Sequence, residues 1–312
     1  MMDSIKDQLA KMMNTAELSD RFSQIMKNEV FKDPDVRQFL TENKDALDKE
    51  AIERSASKLY EFVSEKRKAD TAESGLAPGY RPKLMLNNHR VDVTYVPTED
   101  LIDRRKASRI RNRITSMYMP KDLKEASLEG FEATRKRQEA FEKAIRFIEA
   151  YLDNPKEFHK GLYFQGAFGV GKTYLLGAIA HELSEHGHAS TLVHFPTFAV
   201  EMKNSIGNNT TESKLTTLKK ARVLMIDDIG ADSMSSWIRD DVLGVILQYR
   251  MQEELPTFFT SNFDMDQLEK EHLSVSQRGE TEPLKAKRLM ERIRFLSEEV
   301  TMAGENRRQN KS

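Results

Sequence analysis

The spacing of apolar residues in the first third of the chain is typical of helices. Within residues 17–66, Ile52, Ala56, Leu59 and Val63 recur at i, i+4, i+7 and i+11, and charged residues fill the other positions. This spacing places the four side chains on one face of a helix and leaves the opposite face to solvent. The region therefore predicts a helical module with one apolar face.

The pattern changes after this module. Residues 70–82 are rich in Gly, Pro and Ala and predict a loop. Leu84–Leu86 and Val91–Tyr95 predict two short strands around a turn at Asn87–Asn88. Together with the helices, they predict a small, mainly helical N-terminal domain over residues 1–100.

From about residue 116 onwards, short apolar runs alternate with helical segments. The predicted strands are Gly161–Gln165, Thr191–Phe195, Arg222–Asp227 and Thr257–Thr260, and helices are predicted near 172–186, 197–206, 236–252 and 264–271. Strands that are apolar throughout are buried on both faces, and their alternation with helices is typical of a parallel sheet. The sequence therefore predicts an α/β domain over residues 119–312, with helices on both faces of a parallel sheet.

The amino-acid composition limits which classes of protein and which kinds of binding site fit this chain. The 49 Lys and Arg residues nearly balance the 50 Asp and Glu residues, so net charge argues neither for nor against nucleic-acid binding. The absence of cysteine excludes disulfides and a thiolate zinc site. The polar N-terminus does not resemble a signal peptide, and no apolar run approaches the roughly 20 residues that span a bilayer. A soluble, cytoplasmic protein with no membrane partner is expected.

One local excess of positive charge lies between the two predicted domains, in a predicted basic linker at residues 101–118. Its cations are Arg104, Arg105, Lys106, Arg109, Arg111 and Arg113. A solvated linker helix and a segment that contacts phosphates both fit this pattern.

A phosphate-binding loop follows the first predicted strand of the α/β domain. It consists of Gly166, Ala167, Phe168, Gly169, Val170, Gly171, Lys172 and Thr173, a full match to G-x-x-x-x-G-K-[ST] between a strand and a helix. In such loops the backbone N–H groups and the helix N-terminus converge on phosphate oxygens. We expect Lys172 to reach the β- and γ-phosphates of ATP and the Thr173 hydroxyl to bind Mg²⁺.

The apolar strand Val223–Asp227 ends in one carboxylate, Asp227, and a second carboxylate, Asp228, follows it directly. We expect Asp227 to hold the Mg²⁺ shell and Asp228 to polarise the attacking water. Because Asp228 is one methylene shorter than glutamate, slow hydrolysis suited to a switch is expected. The alternative interpretation of Asp228 is a cap on the following turn.

Polar groups that could complete the site come later in the chain. Asn262 ends a predicted strand and is placed to orient water against the γ-phosphate, although it could instead begin a turn. Arg288 and Arg292 lie at i, i+4 on a predicted helix, where an arginine can reach a neighbouring subunit's γ-phosphate. A salt-bridged or solvated helix face is the alternative for these arginines.

These motifs together resemble the AAA+ helicase loaders of the DnaI/DnaC family, and the N-terminal domain is most similar to the DnaI type. The resemblance covers nearly the whole chain and rests on both Walker motifs, on Thr-Ser-Asn at the end of a strand, and on Arg-Leu-Met-Glu-Arg-Ile. It implies an ATPase that binds the hexameric replicative helicase through its N-terminal domain, places it on single-stranded DNA, and meets other primosomal proteins. It also implies that Asn262 is sensor 1, that Arg292 is an arginine finger used if subunits self-assemble, and that Arg308, or its neighbour Arg307, is sensor 2.

The resemblance further implies contacts with single-stranded DNA at Lys203, Ser235 and Trp237. A lysine can meet a phosphate, and an indole offers a stacking face worth roughly 1–3 kcal/mol per base, although burial in the core is the alternative for Trp237. Loaders of this type can carry an N-terminal zinc site built from cysteines. The corresponding loop around Asp70–Tyr80 has no cysteine, and His89 alone cannot hold the ion, so no zinc is expected.

Three other functions compete with helicase loading. A transposition helper ATPase of the IstB type shares most of the site motifs, but a helical N-terminal module with a short hairpin fits helicase docking better. A P-loop kinase would need an arginine-rich lid, and none follows the core. A nucleotide-gated binding protein without turnover would tolerate replacement of Asp228.

Overall fold

The computed structural model describes residues 20–70, 77–205, 211–231, 234–274 and 281–307. The chain divides into two compact units, Met1–Lys106 and Ala107–Ser312. No helix in the described ranges combines the length and apolar character needed to cross a membrane.

The first unit consists of helices followed by a hairpin. Residues 20–28 are helical and a 3₁₀ turn covers Val30–Lys32; then come α1 (Pro34–Glu42), α2 (Lys49–Arg54), α3 (Ala56–Asp70), β1 (Tyr80–Asn87) and β2 (Arg90–Pro97). The Asp33 carboxylate accepts hydrogen bonds from the backbone N–H groups of Asp35 and Val36, which fixes the start of α1. This unit confirms the prediction of a mainly helical N-terminal module.

The predicted hairpin is confirmed, with longer strands than expected and with its turn one residue later than the predicted Asn87–Asn88. Asn88 and His89 form its two-residue turn with φ of 48° and 57°, as a turn that follows the natural strand twist requires. Val91 is buried, and its N–H donates to the Ser55 hydroxyl, so the hairpin is tied to the helices. Leu59 belongs to the same apolar core, as its helical spacing predicted.

Helix α4 (Glu99–Arg113) leads into the second unit. The further elements are β3 (Ile114–Met117), α5 (Gln138–Asp153), β4 (Gly161–Gln165), α6 (Lys172–Glu185), β5 (Ser190–His194), α7 (Phe195–Ser205), α8 (Thr211–Lys220), β6 (Val223–Asp227), α9 (Gly244–Gln252), β7 (Thr257–Ser261), α10 (Met265–Gln267), α11 (Pro283–Leu296) and β8 (Ser297–Thr301). A π-helical turn at Ile238–Leu243 precedes α9, and another at Leu268–Leu273 follows α10.

The strands of the second unit form one parallel sheet in the order β3-β5-β6-β7-β4-β8. Side chains of β6 alternate between two cores: Leu224 and Ile226 pack with residues of α9 and α11, and Val223 and Met225 pack with residues of α5 and α6. The predicted parallel sheet with helices on both faces is thus confirmed, and with the phosphate loop it is the AAA+ P-loop fold.

The two edge strands were not predicted. β3 lies inside residues 101–118, which the sequence predicted as linker, and only Ile114 of its four residues is buried. β8 carries two exposed glutamates among its five residues. Neither strand has the uninterrupted apolar run that marks a central strand, because an edge strand is covered on fewer sides. The domain boundaries 1–100, 101–118 and 119–312 otherwise remain a prediction.

A buried arginine joins the helices to the sheet and gives the first testable prediction. Arg250 is fully buried, and its guanidinium donates to the carbonyls of Leu218, Ala221 and Pro256 and to the Thr257 hydroxyl at 2.7–3.1 Å. Lysine keeps the charge but cannot reproduce the planar fork. We expect Arg250→Lys to lower the free energy of unfolding by about 2 kcal/mol, measured by urea denaturation. The exposed Arg146→Lys is the matched control, and an equal loss in both variants would contradict the prediction.

Candidate functional site

The phosphate loop connects β4 to α6 at the carboxyl end of the sheet. Gly166 and Gly169 have φ of 151° and 77°, in a region that other residues rarely adopt. A Cβ atom on Gly166 would lie 1.9 Å from the carbonyl oxygen of Met302, and one on Gly169 would lie 1.9 Å from Oδ1 of Asn306. The loop thus needs glycine at both positions, because the segment after β8 passes directly over it.

Lys172 is the first residue of α6, and its side chain is almost completely buried. Its Nζ donates to the carbonyl oxygens of Gly166 and Ala167, at 2.6 and 2.9 Å, and to Oδ1 of Asn262, at 2.9 Å. A single ammonium group thus connects the phosphate loop to the end of β7, the strand beside β4 in the sheet. The predicted loop lysine and the predicted sensor asparagine are in direct contact.

Asp227 ends β6 and is buried. Its Oδ1 accepts hydrogen bonds from the hydroxyls of Thr173, at 2.8 Å, and Thr260, at 2.6 Å. Burial raises the pKa of Asp227, and the two hydroxyl donors partly offset that effect by stabilising the charged form. Thr173 and Asp227 therefore form a pair of oxygen ligands of the kind that Mg²⁺ prefers.

Asp228 follows in a left-handed backbone conformation, with φ of 63°. Its N–H donates to the Thr260 hydroxyl at 2.8 Å, and its Oδ1 accepts from Nδ2 of Asn262 at 3.3 Å. Its Oδ2 lies 3.8 Å from Nε2 of His194. The carboxylate is partly open to solvent, as a group that acts on water must be. Within the described part of the following turn, no backbone N–H donates to this carboxylate, so the capping alternative gains no support there.

Two residues of this network were missed from the sequence. Thr260 connects the two aspartates, and His194 lies beside the second of them. Thr260 lies near the carboxyl end of β7, and His194 lies at the carboxyl end of β5. These two strands flank β6 in the sheet. Polar residues at the carboxyl ends of parallel strands converge on a ligand site, which could have indicated both.

The segment after β8 contacts the phosphate loop from its outer side. The N–H of Arg307 donates to the carbonyl of Gly169 at 3.1 Å, and its guanidinium forms an ion pair with Glu132. The nearby Arg137 is buried, and its guanidinium lies over the ring of Phe131. Sequence reasoning did not single out Glu132 or Arg137. Arg308, the predicted sensor 2 residue, lies outside the described residues.

Arg292 does not join this network. Its Nη1 donates to the carbonyl of Gly244, at the start of α9, at 2.8 Å. Burial and the neighbouring Arg288 lower the pKa of Arg292. Within its own chain the guanidinium is thus directed at α9, and a role on the nucleotide of a neighbouring subunit remains a prediction.

Two of the three residues predicted to bind single-stranded DNA line one cavity. Lys203, on α7, and Ser235 border a cavity of about 260 Å³ that also reaches Asp228. Trp237 does not line this cavity; it lies half-buried against the apolar core, just before the first π-helical turn. The burial alternative for Trp237 is therefore met in part.

Comparison with known proteins places these features in a family. Residues 2–95 match the family described as the primosomal protein DnaI N-terminus, and residues 91–312 match the IstB-like ATP-binding proteins. The chain is 43% identical to the replicative helicase loader DnaI of Bacillus subtilis (strain 168), over 91% of this chain and 92% of that protein. It is 28% identical to the replicative helicase loader DnaC of Escherichia coli (strain K12), over 42% of this chain and 52% of that protein.

A solved structure agrees with this relationship. A crystal structure of DnaI covers 64% of this chain and 99% of its own length, with 47% identity and a TM-score of 0.55. The match to the DnaI N-terminal family, beside the IstB-like match over residues 91–312, favours helicase loaders over the IstB-like alternative. The chain belongs to the DnaI family of replicative helicase loaders.

Proposed function

We propose that this protein is an ATP-dependent loader that binds the hexameric replicative DNA helicase in the cytoplasm and helps to place it on single-stranded DNA. One observation carries the proposal. The same chain contains a DnaI-type N-terminal module and an AAA+ domain in which Lys172, Asn262 and Asp228 form a hydrogen-bonded network. The IstB-like alternative explains the second part of that observation but not the first.

The phosphate loop is proposed to bind the triphosphate of ATP. The backbone N–H groups of the loop and the N-terminus of α6 would meet phosphate oxygens, and Lys172 supplies a positive charge there. Thr173 and Asp227 would hold Mg²⁺, which supplies Lewis-acid stabilisation of phosphate charge when bound. The hydroxyl of Thr260 keeps Asp227 oriented for this purpose.

Asp228 and Asn262 are proposed to position the attacking water. Asn262 accepts from Lys172 and donates to Asp228, so that one amide links the phosphate-binding charge to the carboxylate that acts on water. Asp228 is also held through its backbone N–H. The side chain of Asp228 is one methylene shorter than that of glutamate, which supports slow ATP hydrolysis. Slow hydrolysis suits a regulatory switch better than a motor protein.

Single-stranded DNA is proposed to bind at Lys203, Ser235 and Trp237. Lys203 would meet a phosphate, and Trp237 would stack on a base. Because Asp228 borders the same cavity as Lys203 and Ser235, a strand bound there would lie close to the catalytic carboxylate. This proximity offers a route by which DNA could change the rate of hydrolysis.

The N-terminal unit is proposed to dock on the helicase, and other primosomal proteins are further candidate partners. Arg292 would act in trans if subunits assemble, and Arg308 or Arg307 would sense the nucleotide. The absence of bound zinc remains a proposal; no cluster of ligands for a metal ion occurs among the described residues. Metal analysis of the purified protein tests it, and stoichiometric zinc would refute it.

The direct test mixes the full chain with its host's replicative helicase and separates the mixture by size exclusion, with and without ATP. We expect a complex that elutes ahead of the helicase hexamer alone and contains both proteins. A transposase of the IstB-associated class, run in parallel, should give no complex. Separate elution from the helicase at micromolar concentrations, with or without ATP, would overturn the proposal.

A further inference from the structure

The hairpin of the N-terminal unit has two outer edges, one on each strand. Asn87 and Arg90 flank its two-residue turn and form a hydrogen-bonded pair, so hydrogen-bonded and open pairs alternate from there along the hairpin. Leu84 and Leu86 belong to the open pairs. Their backbone N–H and C=O groups therefore point away from β2, towards the outer edge of β1.

The outer edge of β2 is satisfied by side chains. The N–H of Val91 donates to the Ser55 hydroxyl at 3.0 Å, and the N–H of Val93 donates to Oδ1 of Asp92 at 2.8 Å. An edge whose donors are already paired is a poor template for a further strand.

The outer edge of β1 is different. Among the described residues, no hydrogen bond outside the hairpin ladder reaches the backbone of Leu84 or Leu86. Leu84 is buried, and an unpaired backbone group in such a place costs free energy until a ligand or water meets it. Pro82 has no N–H, so the edge that can accept a strand is confined to these two leucines.

An apolar groove lies along this edge. It encloses about 220 Å³ between β1 and α1, and it is here called the α1–β1 groove. Its lining consists of Pro82, Lys83 and Leu84 of β1, Phe62 of α3, and Asp35, Gln38, Phe39 and Glu42 of α1. The four residues of α1 follow each other at i, i+3, i+4 and i+7, so they share one face of that helix.

The α1 wall of the groove carries one carboxylate that can receive a cation. Asp35 already pairs with Lys66 at 2.8 Å. Glu42 is exposed and accepts a hydrogen bond from Nε2 of Gln38 at 2.8 Å, and none of the described cations forms an ion pair with it. The groove thus combines open backbone groups, two aromatic rings and a negative charge.

We propose that the α1–β1 groove binds an extended segment of the replicative helicase, which adds a third strand beside β1. The inference rests on the proposed function, in which the N-terminal unit docks on the helicase, and it names the docking surface. Main-chain bonds to Leu84 and Leu86 would supply affinity. An apolar side chain beside Phe39 and Phe62, and a lysine or arginine that meets Glu42, would supply specificity. A helix fits less well, because its backbone groups pair with one another and leave the strand edge unpaired.

Hydrogen exchange measured by mass spectrometry reports strand addition directly. The full chain is compared with and without the purified hexameric replicative helicase of its host. We expect the amide hydrogens of Leu84 and Leu86 to exchange about 10-fold or more slowly in the complex, because they gain acceptors. The edge of β2 is the internal control, since the N–H groups of Val91 and Val93 already have acceptors and should change by less than about threefold.

A pair of charge variants tests the groove independently. Glu42→Lys reverses the charge at the last residue of α1, where a lysine suits the helix C-terminus, so the variant should fold. Glu53→Lys makes the same change at an exposed residue of α2 that does not line the groove. We expect Glu42→Lys to weaken helicase binding by about 10-fold or more and Glu53→Lys to stay within about threefold of the wild type. Calorimetric titration measures the affinities, and circular dichroism checks the fold.

The outcomes separate this inference from the proposed function. If the complex forms but the amides of Leu84 and Leu86 exchange as in the unbound chain, or if both charge variants bind alike, only the inference fails. It also fails alone if these amides are already protected without helicase, since another part of the chain or a second copy then fills the groove. If the wild-type chain forms no complex with the helicase, the proposed function fails and the inference fails with it.

Discussion

Replacing Lys172 with alanine is expected to weaken ATP binding by about 100-fold or more. A buried ammonium that contacts two phosphates makes charge-assisted hydrogen bonds of roughly 1.5–3 kcal/mol each, and a loss of about 2.7 kcal/mol corresponds to a factor of 100. The same group also connects Gly166, Ala167 and Asn262, so the variant loses the shape of the loop together with the charge. Isothermal titration calorimetry with ATP and Mg²⁺ measures the effect.

A second lysine variant controls for the loss of one positive charge. Lys156 is exposed on the turn between α5 and β4, so Lys156→Ala should leave ATP affinity within about threefold of the wild type. Thermal unfolding of both variants checks that each retains the fold. If Lys172→Ala binds ATP as tightly as Lys156→Ala, Lys172 does not hold phosphate and the site has been assigned wrongly.

Replacing Asp228 with asparagine is expected to reduce ATP hydrolysis by about 10²–10⁴-fold while ATP affinity stays nearly unchanged. Asparagine tolerates the positive φ of this position, and its side-chain oxygen can still accept from Asn262. The variant thus loses the negative charge that acts on water and keeps the local geometry. Single-turnover hydrolysis at saturating ATP separates the chemical step from binding.

A matched substitution away from the site shows whether the loss of hydrolysis is specific to Asp228. Asp153→Asn removes one exposed carboxylate at the end of α5 and should hydrolyse ATP at the wild-type rate. Full hydrolysis by Asp228→Asn would favour the turn-capping interpretation. If Asp228→Asn hydrolyses no ATP yet still supports helicase loading, the nucleotide acts through binding alone.

The central strands of the second unit could be predicted because each contains a run of two to four buried apolar residues. Gly161–Gln165 was predicted with its observed bounds, since both faces of this strand are buried and Gly166 follows directly. β8 was missed, because an edge strand with exposed glutamates has the composition of a surface helix or loop. Within this sheet, local composition thus revealed only the strands that are covered on both faces.

Only part of the site could be predicted from the sequence, because the sequence does not show the order of the strands in the sheet. Motif spacing alone predicted Lys172, Thr173, Asp227, Asp228 and Asn262, and the structure brings all five into one hydrogen-bonded network. Thr260 and His194 join that network because β7 and β5 lie on either side of β6, and chain order does not reveal this neighbourhood. The role of Arg292 depends on a second subunit, so a single chain cannot display it.

The most direct test of helicase loading measures the association of the host's replicative helicase with a closed circle of single-stranded DNA. A circle has no end over which a helicase ring could pass, so the ring must be opened or assembled around the strand. We predict that the circle acquires bound helicase only with the wild-type chain and ATP, and that Lys172→Ala fails to support this. Equal association of helicase with the circle in the absence of the protein would contradict the account.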